Sequence, residues 1–234
     1  MSKHISNISG HRDLVNCVSW SPDSTQLASC SCDCYIVVWN FGDGKVKPII
    51  LGGHTHFVLC VAWSSNSKQL ASCSIDRTIR LWDLEKGTDS ILLDRWDVTI
   101  SQVSWSPDSN RLVCCGNSCK IKIFDLKNQK NNFILDQKDD FVRCVAWSPD
   151  SKMLAIGMSA SGTVKIINVE TLQTKIYQVH NVGGIVNAVA WSSDSKRVAS
   201  CSGMGDVTIL DIDTGTKTSK TFSERSLFNV SWSS

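Results

Sequence analysis

Histidine, serine and aspartate recur in this sequence of 234 residues at spacings that could support hydrolytic chemistry. Two sets contain the same three residue types at the same intervals: His11, Ser29 and Asp33, and His54, Ser72 and Asp76. In many hydrolases an aspartate orients a histidine, which removes the proton from a nucleophilic serine. A catalytic triad, however, serves one nucleophile at one site, whereas these residues return in register. Their recurrence favours a structural role over catalysis.

The eleven cysteines suggest a second kind of chemistry, because thiolates are good ligands for zinc. Two local groups exist, but no two cysteines have the Cys-x-x-Cys spacing: Cys30, Cys32 and Cys34, and Cys114, Cys115 and Cys119. Two further sets recur at equivalent places, as small buried apolar residues do: Cys17, Cys60 and Cys144, and Cys30, Cys73 and Cys201. We therefore expect reduced thiols in an intracellular protein, with no metal and no cofactor.

A repeat about 42 residues long positions all of these residues. Its most constant part is a motif of the type Trp-Ser-Pro-Asp-Ser, which begins at six tryptophans: Trp20, Trp63, Trp105, Trp147, Trp191 and Trp232. The intervals between them are 43, 42, 42, 44 and 41 residues. One repeated core position therefore accounts for six of the nine tryptophans.

Each repeat begins with a short β-branched run that ends at the repeated tryptophan, as a strand requires. These predicted inner strands are Val15–Trp20, Val58–Trp63, Ile100–Trp105, Val142–Trp147, Val186–Trp191 and Leu227–Trp232. A turn and three more strand-like runs follow, which predicts an all-β fold of four-stranded propeller blades. We place the repeats approximately at 10–51, 53–93, 95–136, 138–178 and 180–222, with a partial one at 223–234, in a single domain of residues 1–234.

Two pairs of short motifs carry a family resemblance: Gly10-His11 and Gly53-His54 before the first strand, and Trp39-Asn40 and Trp82-Asp83 at the end of the third. On these motifs the chain resembles the WD-repeat β-propellers over essentially its whole length. The resemblance implies a buried hydrogen-bonded network in each of the first two repeats: His11, Ser29, Asp33 and Trp39, and His54, Ser72, Asp76 and Trp82. Such a network would satisfy buried polar groups and maintain the register of the strands.

The third, fourth and fifth repeats depart from this pattern. The third lacks the histidine and has Cys114, Ser118 and Phe124 in the places of the serine, the aspartate and the tryptophan. Ile167 replaces the tryptophan in the fourth repeat, and the fifth keeps His180 and Ser200 but has Leu210 in that place. We expect these repeats to depend on apolar packing.

In this family the start of the innermost strand opens on the top face, beside the central channel, where partners usually dock. Exposed aromatic residues and arginine are frequent hot spots of interfaces. The resemblance therefore implies a partner-binding surface that includes Asn16, Phe57, Leu59, Ile75, Phe141, Arg143 and Asn187. The alternative is that Phe57 and Phe141 only fill the channel, and both interpretations stay open.

Composition limits the classes of function. The formal net charge is +2, without a concentrated basic face, which disfavours nucleic acid as a partner. The sequence has neither a secretory signal at its polar start nor an apolar run long enough to cross a membrane, so we expect a cytoplasmic location, with a nuclear one left open.

The favoured function is a non-enzymatic scaffold that presents its top face to a protein or peptide partner in a larger complex. A propeller enzyme such as a hydrolase is the first alternative. It would need convergent carboxylates or a metal, and the predicted channel-side positions contain no carboxylate. A nucleic-acid-associated scaffold is the second alternative.

The predicted strands do not complete a sixth blade. Residues 3–8 take the place of an outer strand and residues 227–232 that of an inner strand, with no middle strands between them. Three accounts stay open. The chain is a fragment of a longer propeller, the two strands form a thin sixth blade, or the open blade edges pair with another chain.

Overall fold

The computed structural model describes residues 9–41, 47–128, 132–138, 140–222 and 225–232. All regular elements in these residues are β-strands. The described part of the chain contains no helix, and hence none that is long and apolar enough to cross a membrane. The all-β class predicted from the sequence is confirmed.

The strands in the described residues form five antiparallel sheets, each built from four strands that are consecutive in the chain. The first sheet contains β1 (Val15–Trp20), β2 (Gln26–Ser31), β3 (Ile36–Asn40) and β4 (Lys47–Leu51). The second contains β5 (Val58–Trp63), β6 (Gln69–Ser74), β7 (Thr78–Asp83) and β8 (Ser90–Arg95). The third contains β9 (Ile100–Trp105), β10 (Arg111–Gly116), β11 (Lys120–Asp125) and β12 (Phe133–Asp136).

The fourth sheet contains β13 (Val142–Trp147), β14 (Met153–Met158), β15 (Thr163–Asn168) and β16 (Thr174–Gln178). The fifth contains β17 (Val186–Trp191), β18 (Arg197–Ser202), β19 (Asp206–Asp211) and β20 (Lys217–Thr221). Five predicted inner strands thus coincide with β1, β5, β9, β13 and β17. The four-stranded sheets are those expected of propeller blades.

The sixth predicted inner strand, Leu227–Trp232, is not a strand in the structure. Residues 225–232 form no ladder with another strand, although the N–H of Leu227 donates to the carbonyl of Ser202 at 3.1 Å. The predicted outer strand at residues 3–8 lies outside the described residues.

The chain divides into two compact units, Met1–Arg95 and Trp96–Ser234. The first unit carries the first two sheets, and its core includes Ile36, Trp63 and Trp82. The second unit carries the other three sheets and two apolar clusters, one around Trp147 and one around Trp191. The expectation of a single domain over 1–234 stays a prediction.

Within each unit the repeated tryptophan bonds to the sheet before it. Its indole Nε1–H donates to a backbone carbonyl of the earlier repeat, as four pairs show: Trp63 to Ser19 at 3.0 Å, Trp147 to Ser104 at 3.1 Å, Trp191 to Ala146 at 3.1 Å and Trp232 to Ala190 at 2.9 Å. This bond explains why the residue type is constant, since the position requires both a large apolar ring and a donor.

Trp20 is an exception to the predicted core position. Its side chain is 56% exposed and contacts the ring of Phe41, whereas Trp63 and Trp147 are each 6% exposed. No sheet precedes β1 among the described residues of the first unit, so nothing in that unit covers the indole as β1 covers Trp63. The prediction that all six tryptophans occupy a core position is wrong for Trp20.

The Ser-Pro-Asp-Ser turn has one conformation in all five complete copies. In the first copy, Ser21 Oγ donates to Asp23 Oδ1 at 2.6 Å and accepts the N–H of Gln26 at 2.9 Å. The last serine of every copy has a positive φ between 58° and 61°: Ser24, Ser67, Ser109, Ser151 and Ser195. Ser67 Oγ also accepts the N–H of Asp23 at 3.1 Å, so the turn links neighbouring sheets as well as neighbouring strands.

Candidate partner-binding surface

The start of the inner strand and the end of the second strand meet at the same end of each sheet. The residue six positions before the repeated tryptophan accepts a backbone hydrogen bond there from the residue that follows the second strand. Four such bonds are Cys32 to Leu14 at 2.9 Å, Ile75 to Phe57 at 3.0 Å, Ser159 to Phe141 at 2.9 Å and Gly203 to Ile185 at 2.9 Å. The residues of the predicted partner-binding surface therefore lie at this end.

In the first unit this end carries Leu14, Asn16, Phe57, Leu59 and Ile75, which we call the first-unit patch. The side chain of Leu14 is 74% exposed and that of Phe57 is 37% exposed. The ring of Phe57 meets His56 edge-on, at 4.5 Å between ring centroids. The patch is thus an apolar surface with one aromatic side chain held in place by its neighbour.

In the second unit the same end carries Phe141, Arg143, Ile185, Asn187, Met204 and Phe228, which we call the second-unit patch. Four of its apolar side chains are exposed: Phe141 at 55%, Ile185 at 42%, Met204 at 59% and Phe228 at 74%. Arg143 is also exposed, and no hydrogen bond or ion pair joins its guanidinium group to another described residue. This patch thus combines four exposed apolar side chains with one exposed positive charge.

The two asparagines of the predicted surface have a different role from the aromatic residues. Asn16 Nδ2 donates to the carbonyl of Val58 at 2.9 Å, and Asn187 Nδ2 donates to the carbonyl of Leu227 at 2.7 Å. Each carboxamide therefore ties one inner strand to the next repeat. The side-chain N–H groups of both asparagines thus already donate within the fold. The aromatic residues and Arg143 are therefore the better candidates for contacts with a partner.

Sequence reasoning did not include Leu14, Ile185, Met204 and Phe228 among the candidate residues. Leu14 and Ile185 stand six positions before a repeated tryptophan, as Phe57 does, and Phe228 stands four positions before one, as Leu59 does. The signal for these three residues was therefore present in the sequence. Met204 occupies the slot of the turn aspartate in the fifth repeat, and only the structure shows that its side chain is exposed there.

Away from this surface, the two histidine sets form continuous hydrogen-bonded networks. In the second repeat, His54 Nδ1 is 2.9 Å from Asp76 Oδ2, and His54 Nε2 is 2.8 Å from Ser72 Oγ. Trp82 Nε1 donates to Ser72 Oγ at 2.8 Å. The network in the first repeat has the same contacts, at 3.0, 2.8 and 3.1 Å, among His11, Asp33, Ser29 and Trp39.

The order of donors assigns a neutral His54 with its proton on Nδ1. Because Trp82 donates to Ser72, the serine hydroxyl can donate onward to Nε2, while Nδ1–H donates to Asp76. Burial lowers the pKa of His54, and Asp76 offsets this only in part. Burial also opposes the ionisation of Asp76, but bonds from Thr78, the Thr55 N–H and His54 outweigh it and lower the pKa of Asp76 to about 2.

This geometry does not suit a hydrolase. Ser72 is completely buried and Ser29 is 4% exposed, so neither hydroxyl can reach a substrate carbonyl in solution. In each network the indole of a tryptophan also occupies a lone pair of the serine oxygen. A nucleophilic serine requires an accessible oxygen and a site for the reacting atom beside it.

The other three sheets replace the network with apolar contacts and a few separate polar bonds. The place of the third-strand tryptophan is taken by apolar side chains that are at most 2% exposed: Phe124, Ile167 and Leu210. In the fourth repeat, Asp140 accepts the N–H groups of Ala160 and Ser161, a role that sequence reasoning missed. The only hint in the sequence is a carboxylate two residues before the inner strand.

His180 keeps part of the network in the fifth repeat. Its Nε2 lies 3.0 Å from Ser200 Oγ, while its Nδ1 is buried with no hydrogen-bond partner among the described residues. Burial lowers the pKa of His180, and Asp206 opposes this shift. The described residues include no group of three or more histidines, cysteines or carboxylates that could hold a metal ion.

Comparison with known proteins agrees with the repeat structure. The model of the family described as WD domain, G-beta repeat (WD40) matches residues 2–40, 45–83, 93–125, 129–168 and 171–206. The chain is 59% identical over 32 residues to POC1 centriolar protein homolog B of Xenopus laevis, which covers 14% of this chain and 7% of that protein. It is 42% identical over 48 residues to Actin-interacting protein 1 of Caenorhabditis elegans, which covers 20% of this chain and 8% of that protein. The aligned segments are thus small parts of both relatives.

Proposed function

We propose that this chain, which belongs to the WD40 family, is a non-enzymatic scaffold whose exposed inner-strand ends bind a protein or peptide partner within a larger assembly. Proteins of this family generally act as protein-interaction scaffolds. One observation carries the proposal for this chain: the second-unit patch exposes four large apolar side chains together with Arg143.

The composition of this patch indicates the chemistry of the partner. Single exposed apolar residues are ordinary on protein surfaces, but several exposed at the same end of neighbouring sheets favour an interaction site. Aromatic side chains and arginine are also the residues that contribute most to binding at interface centres. The partner should therefore present apolar side chains to Phe141 and Met204, and an acidic group to Arg143.

The first-unit patch supports the same function with a weaker signal. Phe57 is less exposed than Phe141, and Asn16 is already bonded to the neighbouring strand. Both phenylalanine rings are nevertheless open to solvent, which favours partner binding over the alternative in which they only fill a channel.

The test compares what the purified chain captures from a cell lysate with what two variants capture. In the first variant, Phe141→Ala and Arg143→Ala remove the aromatic side chain and the charge from the second-unit patch. The control is Ile176→Ala, because Ile176 is 62% exposed but lies on the outer strand β16 of the same unit. Captured proteins are identified by mass spectrometry.

We expect at least one captured protein to be lost with the patch variant and retained with the control variant. A single hot-spot truncation costs about 2 kcal/mol or more, so the two together, if their effects add, should weaken binding by a factor of roughly 1,000. Equal recovery of every captured protein with both variants would contradict the proposal.

The names of the two relatives bear on where such a partner is found. One is described as centriolar and the other as actin-interacting. These names support a cytoplasmic location for this chain, and a nuclear one stays open. A hydrolase or a nucleic-acid-associated scaffold remains the alternative, but the buried serines and the net charge of +2 favour neither.

A further inference from the structure

Two cross-strand cysteine pairs lie side by side in the first unit. Cys17 on β1 faces Cys30 on β2, and Cys60 on β5 faces Cys73 on β6. The Cys17 thiol is near enough to the thiols of Cys30 and Cys60 for each to affect its pKa, and Cys73 affects the pKa of Cys60 in the same way. We call these four neighbouring cysteines of the two sheets the thiol row.

Two side chains bridge strands β1 and β5 on either side of the thiol row. Before it, Asn16 Nδ2 donates to the carbonyl of Val58, and after it Trp63 Nε1 donates to the carbonyl of Ser19. Cys17 Sγ also lies 3.8 Å from the carbonyl oxygen of Val61 on the neighbouring inner strand. The closeness of the two cysteine pairs therefore follows from the way β1 packs against β5.

Packing alone does not explain why both members of each pair are cysteine. The same cross-strand position holds Gln102 and Cys115 in the third sheet, Cys144 and Gly157 in the fourth, and Ala188 and Cys201 in the fifth. In these three sheets the same two strands pair in the same way, although at most one of the two facing residues at this position is a cysteine. Paired thiols are thus a property of the first unit and are not a requirement of the fold.

The row also contains one thiol suited to act as a nucleophile. Cys30 and Cys73 are completely buried, whereas Cys17 and Cys60 are half-buried. Hydrogen bonds from Cys30 and Cys60 lower the pKa of the Cys17 thiol, although burial opposes this shift. The same sharing of protons raises the pKa of Cys30 and of Cys60. Because the thiolate is the reactive form of cysteine and Cys17 is half-buried whereas Cys30 is fully buried, Cys17 is the candidate nucleophile of its pair.

We propose that the thiol row is an oxidation site, at which a hydroperoxide oxidises Cys17 and Cys30 then forms a disulfide with it. The Cys17 thiolate attacks one peroxide oxygen, the O–O bond breaks, and the products are a sulfenic acid and a hydroxide that takes up a proton. The Cys30 thiol attacks the Cys17 sulfur, the S–O bond breaks, and the hydroxyl group leaves as water with the Cys30 proton. Two thiols lose two electrons, and one peroxide becomes two molecules of water or, for an organic peroxide, water and an alcohol.

The backbone can accommodate this disulfide. Facing residues on antiparallel strands have Cα atoms about 4.5–5.5 Å apart, within the range of about 4.4–6.8 Å that disulfides span. The inference does not depend on the proposed function, because it concerns the chemistry of four thiols in one unit.

The experiment treats the purified full chain with hydrogen peroxide, blocks the remaining thiols under denaturing conditions and identifies the products by mass spectrometry. A protease that cleaves before aspartate separates Cys17 from Cys30 at Asp23. We expect a fragment pair linked through Cys17 and Cys30 that dithiothreitol releases. Cys17 should be oxidised about tenfold or more faster than Cys201, which has no facing thiol.

Two variants separate a specific site from general oxidation. Cys17→Ala recreates the pairing of Ala188 with Cys201, so it should fold, and it should abolish the link. The matched control Cys201→Ala should leave the link and its rate unchanged. The inference is overturned if Cys17 and Cys201 of the wild type react at the same rate, or if Cys17 is oxidised without becoming linked to Cys30. The wild-type comparison decides the matter even if a variant fails to fold.

Discussion

At the scale of single residues, the hydrogen bonds of His54 determine how its protonation affects stability. Its pKa in the folded chain is lowered by burial, whereas an unfolded histidine has a pKa of about 6.5. The unfolded chain therefore binds a proton at a pH where the folded chain does not. The contribution of neutral His54 to stability is fully present above about pH 6.5 and is lost as the pH falls below that value.

We expect the free energy of unfolding of the wild type to fall more steeply between pH 7.5 and pH 5 than that of His54→Gln, which cannot titrate. Urea denaturation followed by tryptophan fluorescence measures both. His180 titrates in the same direction in both proteins, so its effect cancels in the comparison. Asp76 stays ionised throughout this range, because its pKa is lowered to about 2. Identical pH dependence of the two proteins would show that His54 is not held neutral.

At the scale of the repeated element, the same tryptophan position offers a matched pair of substitutions. Trp147 is 6% exposed and its Nε1 donates to Ser104, whereas Trp20 is 56% exposed. Trp147→Ala leaves a cavity and an unpaired carbonyl, so we expect a loss of about 3–5 kcal/mol in the free energy of unfolding. Trp20→Ala should cost about 1 kcal/mol or less, as for an exposed residue.

Thermal and chemical denaturation of the two variants test this difference. Equal losses would mean that Trp20 is covered in solution, and no loss for Trp147→Ala would contradict the structural role of the motif. The comparison is informative because both residues have the same sequence context, an inner strand before them and a Ser-Pro-Asp-Ser turn after them.

These two tryptophans also show which parts of the structure could be predicted from the sequence. The ends of the inner strands were predictable, because an apolar run, a tryptophan and a turn are local signals. The spacing of His54, Ser72 and Trp82 was predictable for the same reason, since it repeats. The exposure of Trp20, the bonds of Asp140 and the exposed Met204 were not, because each depends on which neighbouring backbone or sheet is present, and this is not encoded within one repeat.

At the scale of the whole molecule, the balance of charge makes a prediction about nucleic acid. The 24 basic and 22 acidic side chains leave a net charge of +2, and no concentrated basic face is apparent in the sequence. Non-specific binding of nucleic acid depends on several lysines and arginines that displace counterions together, and it then weakens steeply as salt is added. We expect a labelled single-stranded RNA to bind this chain with a Kd no tighter than about 10⁻⁴ M at physiological salt, measured by fluorescence anisotropy. Tighter binding that weakens with added salt would support the nucleic-acid-associated alternative. If RNA binds at neither low nor physiological salt, a protein partner stays the ligand that fits the exposed apolar patches.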